Sequence, residues 1–398
     1  MTEDNSKNEE RLKSLLEASD KPKRSEIARK AKQEGQRVVG IVDVCVPEEL
    51  IIAGGMLPQH IMGTYRASTP HAWVHRTPEL NLYYTHIVEA VLTGELDFLD
   101  AVICTNSEDD GRRLYDVIAS TGKFNPTFLL FIPQGNHQVD VKYFARWIEH
   151  LKSALEAASG KKITLASLKH AIGLCNETRG LLRSVYELRK HPRPALSGTE
   201  MLRLCLAARV MPKQEFNQEM KALLPYLQKR EMPARSVEPR LLISGDYLDD
   251  WRYLSLIEDD VGALIAMDDL DVGSRCCWED CSSSRDELIY SLAERYLSLP
   301  DYVGQALWVR GVNRVINWVR EFNIAGVIEF GPSGAFPREM RTPYFGKRLK
   351  EEGIPFSYIR TEYQFANPGQ LTTRIGAFVE MLAHARRVPA GKGLNNEL

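Results

Sequence analysis

Long hydrophobic runs are missing from this chain. Nothing in it approaches the roughly 20 consecutive apolar residues that a membrane helix needs. The start, MTEDNSKNEERLK, is polar and charged, unlike a secretory signal, so a cytoplasmic protein is expected. An excess of charge of one sign is missing too. Lys and Arg number 51 against 53 Asp and Glu, a net charge of −2, which argues against a general binder of nucleic acid or of membrane surfaces. Cysteine is sparse: seven residues, odd in number and scattered, in a chain large enough to need no staples. They read as reduced thiols rather than a disulfide framework. The sequence contains no GxxxxGK[ST] loop, no GxGxxG after a strand, no HExxH and no CxxC, which excludes those routes to nucleotide or metal.

What is present is ordinary for a globular protein: 398 residues, 44% apolar and 26% charged, enough for two or three domains. The stretch 37–63, RVVGIVDVCVPEELIIAGGMLPQHIMG, organises the rest. Val38, Val39, Ile41, Val42 and Val44 read as a buried strand. Pro47, Glu48 and Glu49 then suit the start of a helix, the acids facing the positive end of its dipole. Gly54 and Gly55 end that helix before a second apolar segment, 56–62. The strand–helix turn carries Cys45, Pro47 and Glu49, and ligands in open α/β sheets bind at such turns.

Before this unit, 1–36 reads as a charged helical leader with helices near 9–18 and 24–34. After it come a His- and Trp-rich loop (71–79), a helix (82–94), a short strand (101–104), a helix (112–120), a strand (126–132) and a helix marked by Phe144, Trp147, Ile148, Leu151 and Leu155. From 165 to about 230 the strand signals stop and three helices follow, punctuated by Pro192, Pro194 and Pro212. Strand–helix alternation then resumes at 240, with strands near 263–267, 327–330 and 355–359. The last helix has Asn367 as N-cap, Pro368 at its first position and a buried stripe of Leu371, Ile375, Phe378 and Leu382. The pattern predicts an α/β protein of two Rossmann-like parallel-sheet lobes with a helical segment between them. The expected divisions are a leader at 1–36, a first lobe at 37–160, the helical segment at 161–235 and a second lobe at 236–398.

Several clusters could carry chemistry. Cys276, Cys277 and Cys281 in RCCWEDC could bind a metal, though their spacing matches no standard site; the alternative is a loop anchored by Trp278. Asp268, Asp269 and Asp271 follow a strand, where carboxylates either orient a substrate or simply make a turn. Glu108, Asp109 and Asp110 open a helix, where acids are expected for dipole reasons alone, and Arg112 and Arg113 follow at once. His71, Trp73, His75 and Arg76 place two titratable rings and an indole in one loop, which reads as ligand-facing.

Five segments together resemble a known family: PEELIIAGGMLP (47–58), RRLYD (112–116), DDLDVGSR (268–275), IEFGPSGAFPREM (328–340) and GQLTTRIGAFVEML (369–382). In order and spacing, over about 35–385, they resemble the 2-hydroxyacyl-CoA dehydratase family, which includes the benzoyl-CoA reductase subunits. IVDVCVPEELI and DDLDVGSR look closest to the smaller, gamma-type reductase subunit. The resemblance implies a cytosolic chain that pairs with a related chain, a [4Fe-4S] cluster held by cysteines beside an acyl-CoA thioester, and a separate ATP-hydrolysing iron–sulfur activator delivering electrons. It implies reduction of benzoyl-CoA, or alternatively radical dehydration of a 2-hydroxyacyl-CoA, or a non-catalytic partner of a cluster-bearing chain. Dehydratase members carry cysteines before the PEEL motif, before the RRL segment and after the penultimate strand. Here the last two positions fall on Glu108 and Gly331, and Cys45 and Cys104 are offset from the first two by two and four residues. Either Cys45 or Cys104 then contributes to a metal site shared with the partner, or the partner holds the cluster alone. On this reading His75, Glu49 and His60 are candidate proton donors, and Trp73, Arg76, Arg112, Arg113, Asp269 and Arg374 are candidates for binding the acyl-CoA.

Overall fold

The computed structural model describes residues 3–64, 66–75, 81–232, 239–283, 287–299 and 305–387. Among the described residues, eight strands form two separate sheets. The first contains β1 (Val38–Ile41), β2 (Leu57–His60), β3 (Ala101–Thr105) and β4 (Thr127–Leu130) in the order β2-β1-β3-β4. The second contains β5 (Arg240–Gly245), β6 (Leu264–Leu270), β7 (Gly326–Pro332) and β8 (Phe356–Thr361) in the order β6-β5-β7-β8. All pairings are parallel. The two lobes therefore repeat one topology, although their sequences carry no visible repeat. In each, the chain reverses its direction of travel across the sheet between the first and third strands, which opens a crevice at their carboxyl ends.

The first sheet shows why these residues make strands. Along β1 and β3 the alternation of side chains sends Val39, Ile41, Ala101 and Ile103 to one apolar cluster and Val38, Val102 and Cys104 to another. The first face is covered by the helix Gln138–Ser159, through Phe144, Ile148, Leu151 and Leu155. The second is covered by the helices Lys21–Gln33 and Leu82–Leu92. Burying side chains of this size stabilises the fold by about 1.5–3 kcal/mol each. The helix Glu48–Ala53 ends as its glycines require: Gly55 has φ +76°, the left-handed backbone that follows many helix ends.

The helices Leu165–Leu188, Gly198–Ala208 and Lys213–Leu227 form the helical segment. The first of them spans both lobes. Leu168 and Ile172 pack on the first sheet's core, whereas Leu182, Val185 and Tyr186 share a core with Leu242 and Met267 of the second. The amino-terminal helix Glu3–Glu17 buries Leu12 and Leu15 in that same second core, and Arg11 pairs with Glu219 at 2.6 Å. Two local expectations shift. β6 runs on to Leu270, so Asp268 and Asp269 are strand residues, and the turn proper is Asp271–Gly273. Asn367 gives its carbonyl to the Leu371 N–H with φ +52°, where an extended backbone is usual for an N-cap. Among the described residues no helix is long and apolar enough to cross a membrane.

Candidate functional site between the lobes

The carboxyl ends of the two sheets face each other. After β1, Asp43 accepts from the Cys45 N–H at 2.9 Å, from Thr105 Oγ1 at 2.6 Å and from Ser107 Oγ at 2.7 Å, which ties the β1 and β3 turns together. Opposite, the turn after β5 carries Asp246, Tyr247 and Asp249. Tyr247 Oη donates to Glu108 Oε1 at 2.6 Å and lies 3.3 Å from Tyr84 Oη, while the Tyr247 N–H donates to Asp271 at 3.0 Å. Tyr363 Oη, after β8, bridges Asp249 at 3.1 Å and the Gly63 N–H at 2.9 Å.

His60 ends β2 with Nδ1 3.1 Å from Arg209 Nη2. Burial, with Arg209 and Arg24 nearby, holds its pKa well below the usual range, so the ring is neutral at pH 7. The other arm of Arg209 donates to Cys276 Sγ at 3.2 Å, and that thiol donates to the Asp271 carbonyl at 2.5 Å. Asp249 and Asp271 are pushed up to about 7 and about 6, in both cases first by burial. Glu48 goes the other way. Burial alone would raise it, but Lys213, 2.8 Å away, and Arg209 together hold it below the ordinary range.

The expected residues divide. The turn that carries Cys45 and the 268–275 segment do meet at this cleft, where Val44 and Asp271 line one small cavity, and burial, then Asp43 and then Cys276 raise the Cys45 thiol. Glu49 is fully buried, paired with Arg179 and accepting from Tyr296 Oη at 2.7 Å. Asp269 lies at the end of β6, also fully buried, held by Arg275, Arg314 and Ser244. His71 is pinned to Glu89 at 2.8 Å, and the stretch read as a loop begins as a short helix, Pro70–Trp73. Trp73 and His75 are exposed there, and Arg76 lies outside the described residues. Arg112 and Arg374 are exposed, and Arg113 pairs with Asp109 at 2.9 Å.

An iron–sulfur cluster needs several thiolates converging on one point. Cys45 packs in the cluster on one face of the first sheet and Cys104, fully buried, in the cluster on the other. Among the described residues no group of three or more His, Cys, Asp or Glu side chains could hold a metal ion. The RCCWEDC thiols diverge as well, with Cys277 in the second lobe's core and Cys281 in the first's. The residues of this chain do not fit a cluster held by it alone. Six of its seven cysteines are buried and Cys276 is partly exposed. A thiol reagent is therefore expected to modify Cys276 first in the native chain, slowly because burial raises its thiol, and the other six only on unfolding; two or more thiols modified before unfolding would contradict this packing.

Sequence reasoning missed Tyr247, Asp249 and Arg209 and took Glu108 for a helix-dipole acid. One signal could have found the first two. DYLDD follows β5 at the place where VDVCVPEE follows β1, so both first-strand turns deserved equal weight.

The family model for the 2-hydroxyglutaryl-CoA dehydratase D-component (HGD-D) matches residues 43–382. The chain is 28% identical over 356 residues to a benzoyl-CoA reductase subunit of Thauera aromatica, covering 84% of this chain and 87% of that one. It is 26% identical over 361 residues to the (R)-phenyllactyl-CoA dehydratase beta subunit of Clostridium sporogenes, covering 89% and 94%. It is 26% identical over 363 residues to the beta subunit of (R)-2-hydroxyglutaryl-CoA dehydratase of Acidaminococcus fermentans, again covering 89% and 94%. With most of its length matched, and with the two parallel-sheet lobes that the strand–helix pattern predicts, the chain belongs to the 2-hydroxyglutaryl-CoA dehydratase D-component family.

Proposed function

We propose that this chain is the gamma-type subunit of an ATP-dependent benzoyl-CoA reductase. It acts in a hetero-oligomer in the cytoplasm, beside a related chain that holds the [4Fe-4S] cluster and a separate ATP-hydrolysing iron–sulfur activator. The observation that carries this reading is the dispersal of the thiols: with Cys45 and Cys104 on opposite faces of the first sheet, the iron is assigned to the partner. This chain then contributes walls, charge and protons. Its cleft suits that task, because a site for a reduced aromatic thioester must exclude water, and the polar groups at the turns after β1, β5 and β6 (Asp43, Asp249 and Asp271) are buried together with His60. The exposed Arg112, Arg113 and Arg374 are available to the phosphates of CoA. His60 and Glu49 hold their places by pairing with Arg209 and Arg179.

A dehydratase beta-type subunit is the second reading, supported by the two dehydratase relatives above. The assembled complex, given ATP, a low-potential reductant and either benzoyl-CoA or a 2-hydroxyacyl-CoA, separates the two. Consumption of benzoyl-CoA with formation of a cyclohexadiene thioester is expected. Turnover of the hydroxyacyl ester alone would replace the reductase with the dehydratase.

A further inference from the structure

Glu108 occupies the N-cap position of the helix Asp109–Thr121, with φ −129° and ψ 161°, yet its side chain makes no capping hydrogen bond. It turns across the cleft instead and accepts from Tyr247 Oη. Tyr247 is held for that contact in an unusual way. Its φ is +57°, a left-handed backbone that a bulky residue adopts at a cost of about 1–3 kcal/mol. Its N–H is anchored on Asp271, and its ring stacks on Tyr83 at 4.6 Å. Behind it lies a pocket of about 10 Å³, room for a single water, lined by Asp43, His60, Tyr83, Tyr247, Asp249 and Asp271. Asp249 is 1% exposed, and its Oδ1 has no hydrogen-bond partner, so a buried acceptor is left for that water.

The groups facing Glu108 are Asp110 on its own helix, Asp43 after β1, Tyr84 on the helix Leu82–Leu92, and Asp246 and Tyr247 after β5. Burial and the three like charges outweigh the Tyr247 bond, which favours the carboxylate, and raise Glu108 to about 8. It is an uncharged acid at pH 7 on the cleft wall.

We propose, resting on the reading that this cleft receives a CoA thioester, that Glu108 is its proton donor, with Tyr247 as the positioning residue and the Asp249-lined pocket as the route by which the proton is replaced. In the step the Glu108 O–H bond breaks and its proton bonds to the anionic atom of the reacting acyl group. The electron pair stays on the Glu108 carboxylate, and solvent returns a proton through the pocket water and Tyr247. No electron moves in this step.

The test uses Glu108→Gln and Tyr247→Phe in the assembled complex. Glu108→Gln is expected to lower kcat at pH 7 by about 100-fold or more, with thioester affinity kept within about threefold. In the wild type kcat falls as pH rises through about 8, because the acid is then lost. Tyr247→Phe removes the bond that favours the carboxylate, so its falling limb moves to higher pH; a packing role alone would lower the rate without moving the limb. Infrared difference spectra of the chain read the same group without turnover: a protonated-carboxyl band lost near pH 8 and missing in Glu108→Gln. Near-normal kcat in Glu108→Gln, or a band lost near 4.5 with normal turnover, overturns the proton donor alone. A band lost near pH 8 in a complex that turns over no CoA thioester overturns the functional reading, and with it the donor role.

Discussion

Replacing Arg179 by methionine lowers the stability of the chain by about 3–5 kcal/mol, the expected cost of leaving a buried charge unpaired. Arg179 is 5% exposed and reaches from the long interlobe helix Leu165–Leu188 to Glu49, which is 0% exposed. Glu49 opens the helix after β1, and its second oxygen accepts from Tyr296 Oη at 2.7 Å. The double substitution Glu49→Gln with Arg179→Met leaves no charge behind and is expected to recover most of the loss. Urea unfolding of both single variants and the double variant measures the coupling. Equal, additive losses of under about 1 kcal/mol would show that the pair is screened and not a clamp.

Asp269→Asn has the second large effect. Asp269 lies at the carboxyl end of β6, where Arg275 and Arg314 converge on it at 3.1 and 2.5 Å. Arg338 and Arg341 close the same crevice against Asp246 and Glu329. Burial would raise the Asp269 carboxyl, but Arg275 and Arg314 hold it well below the usual range. Asparagine keeps the shape and one acceptor while deleting the charge. It leaves these four guanidiniums facing two carboxylates, and we expect a loss of about 3 kcal/mol or more. The alternative role for Asp269, orienting substrate, makes a different forecast: a higher KM with the unfolding midpoint unchanged. Midpoint and KM measured on the same variant decide between a structural keystone and a ligand contact.

Some of the site was visible before folding. IVDVCVPEE reads as a strand, turn and helix because β-branched residues, a proline and two acids each favour their place locally, and the turn does lie at the cleft. Other readings went astray where partners are distant in sequence. Glu108 fits a helix start by local rules, but its hydrogen-bond partner is 139 residues away. Glu49 looks like a free acid until Arg179, 130 residues on, fills its site. The arginines of the second lobe give a weak local sign, Arg338 and Arg341 being one helical turn apart after Glu329, but their shared anions come from different strands and turns.

The linear order of residues by itself determined the class of this protein. Period-2 and period-3.6 apolar patterns set strands and helices, their alternation sets parallel sheets, and five motifs in register identify the family. Tertiary structure alone decided which polar groups do anything. Cys104, on β3, packs in the core on one face of the first sheet, whereas the turn after β1 carries Cys45 into the core on the other, while two lobes with no visible sequence repeat bring Glu108 and Tyr247 within 2.6 Å. Proton affinity and ligation depend on solvent exclusion and on distances between segments, and neither exists until the lobes have closed on each other.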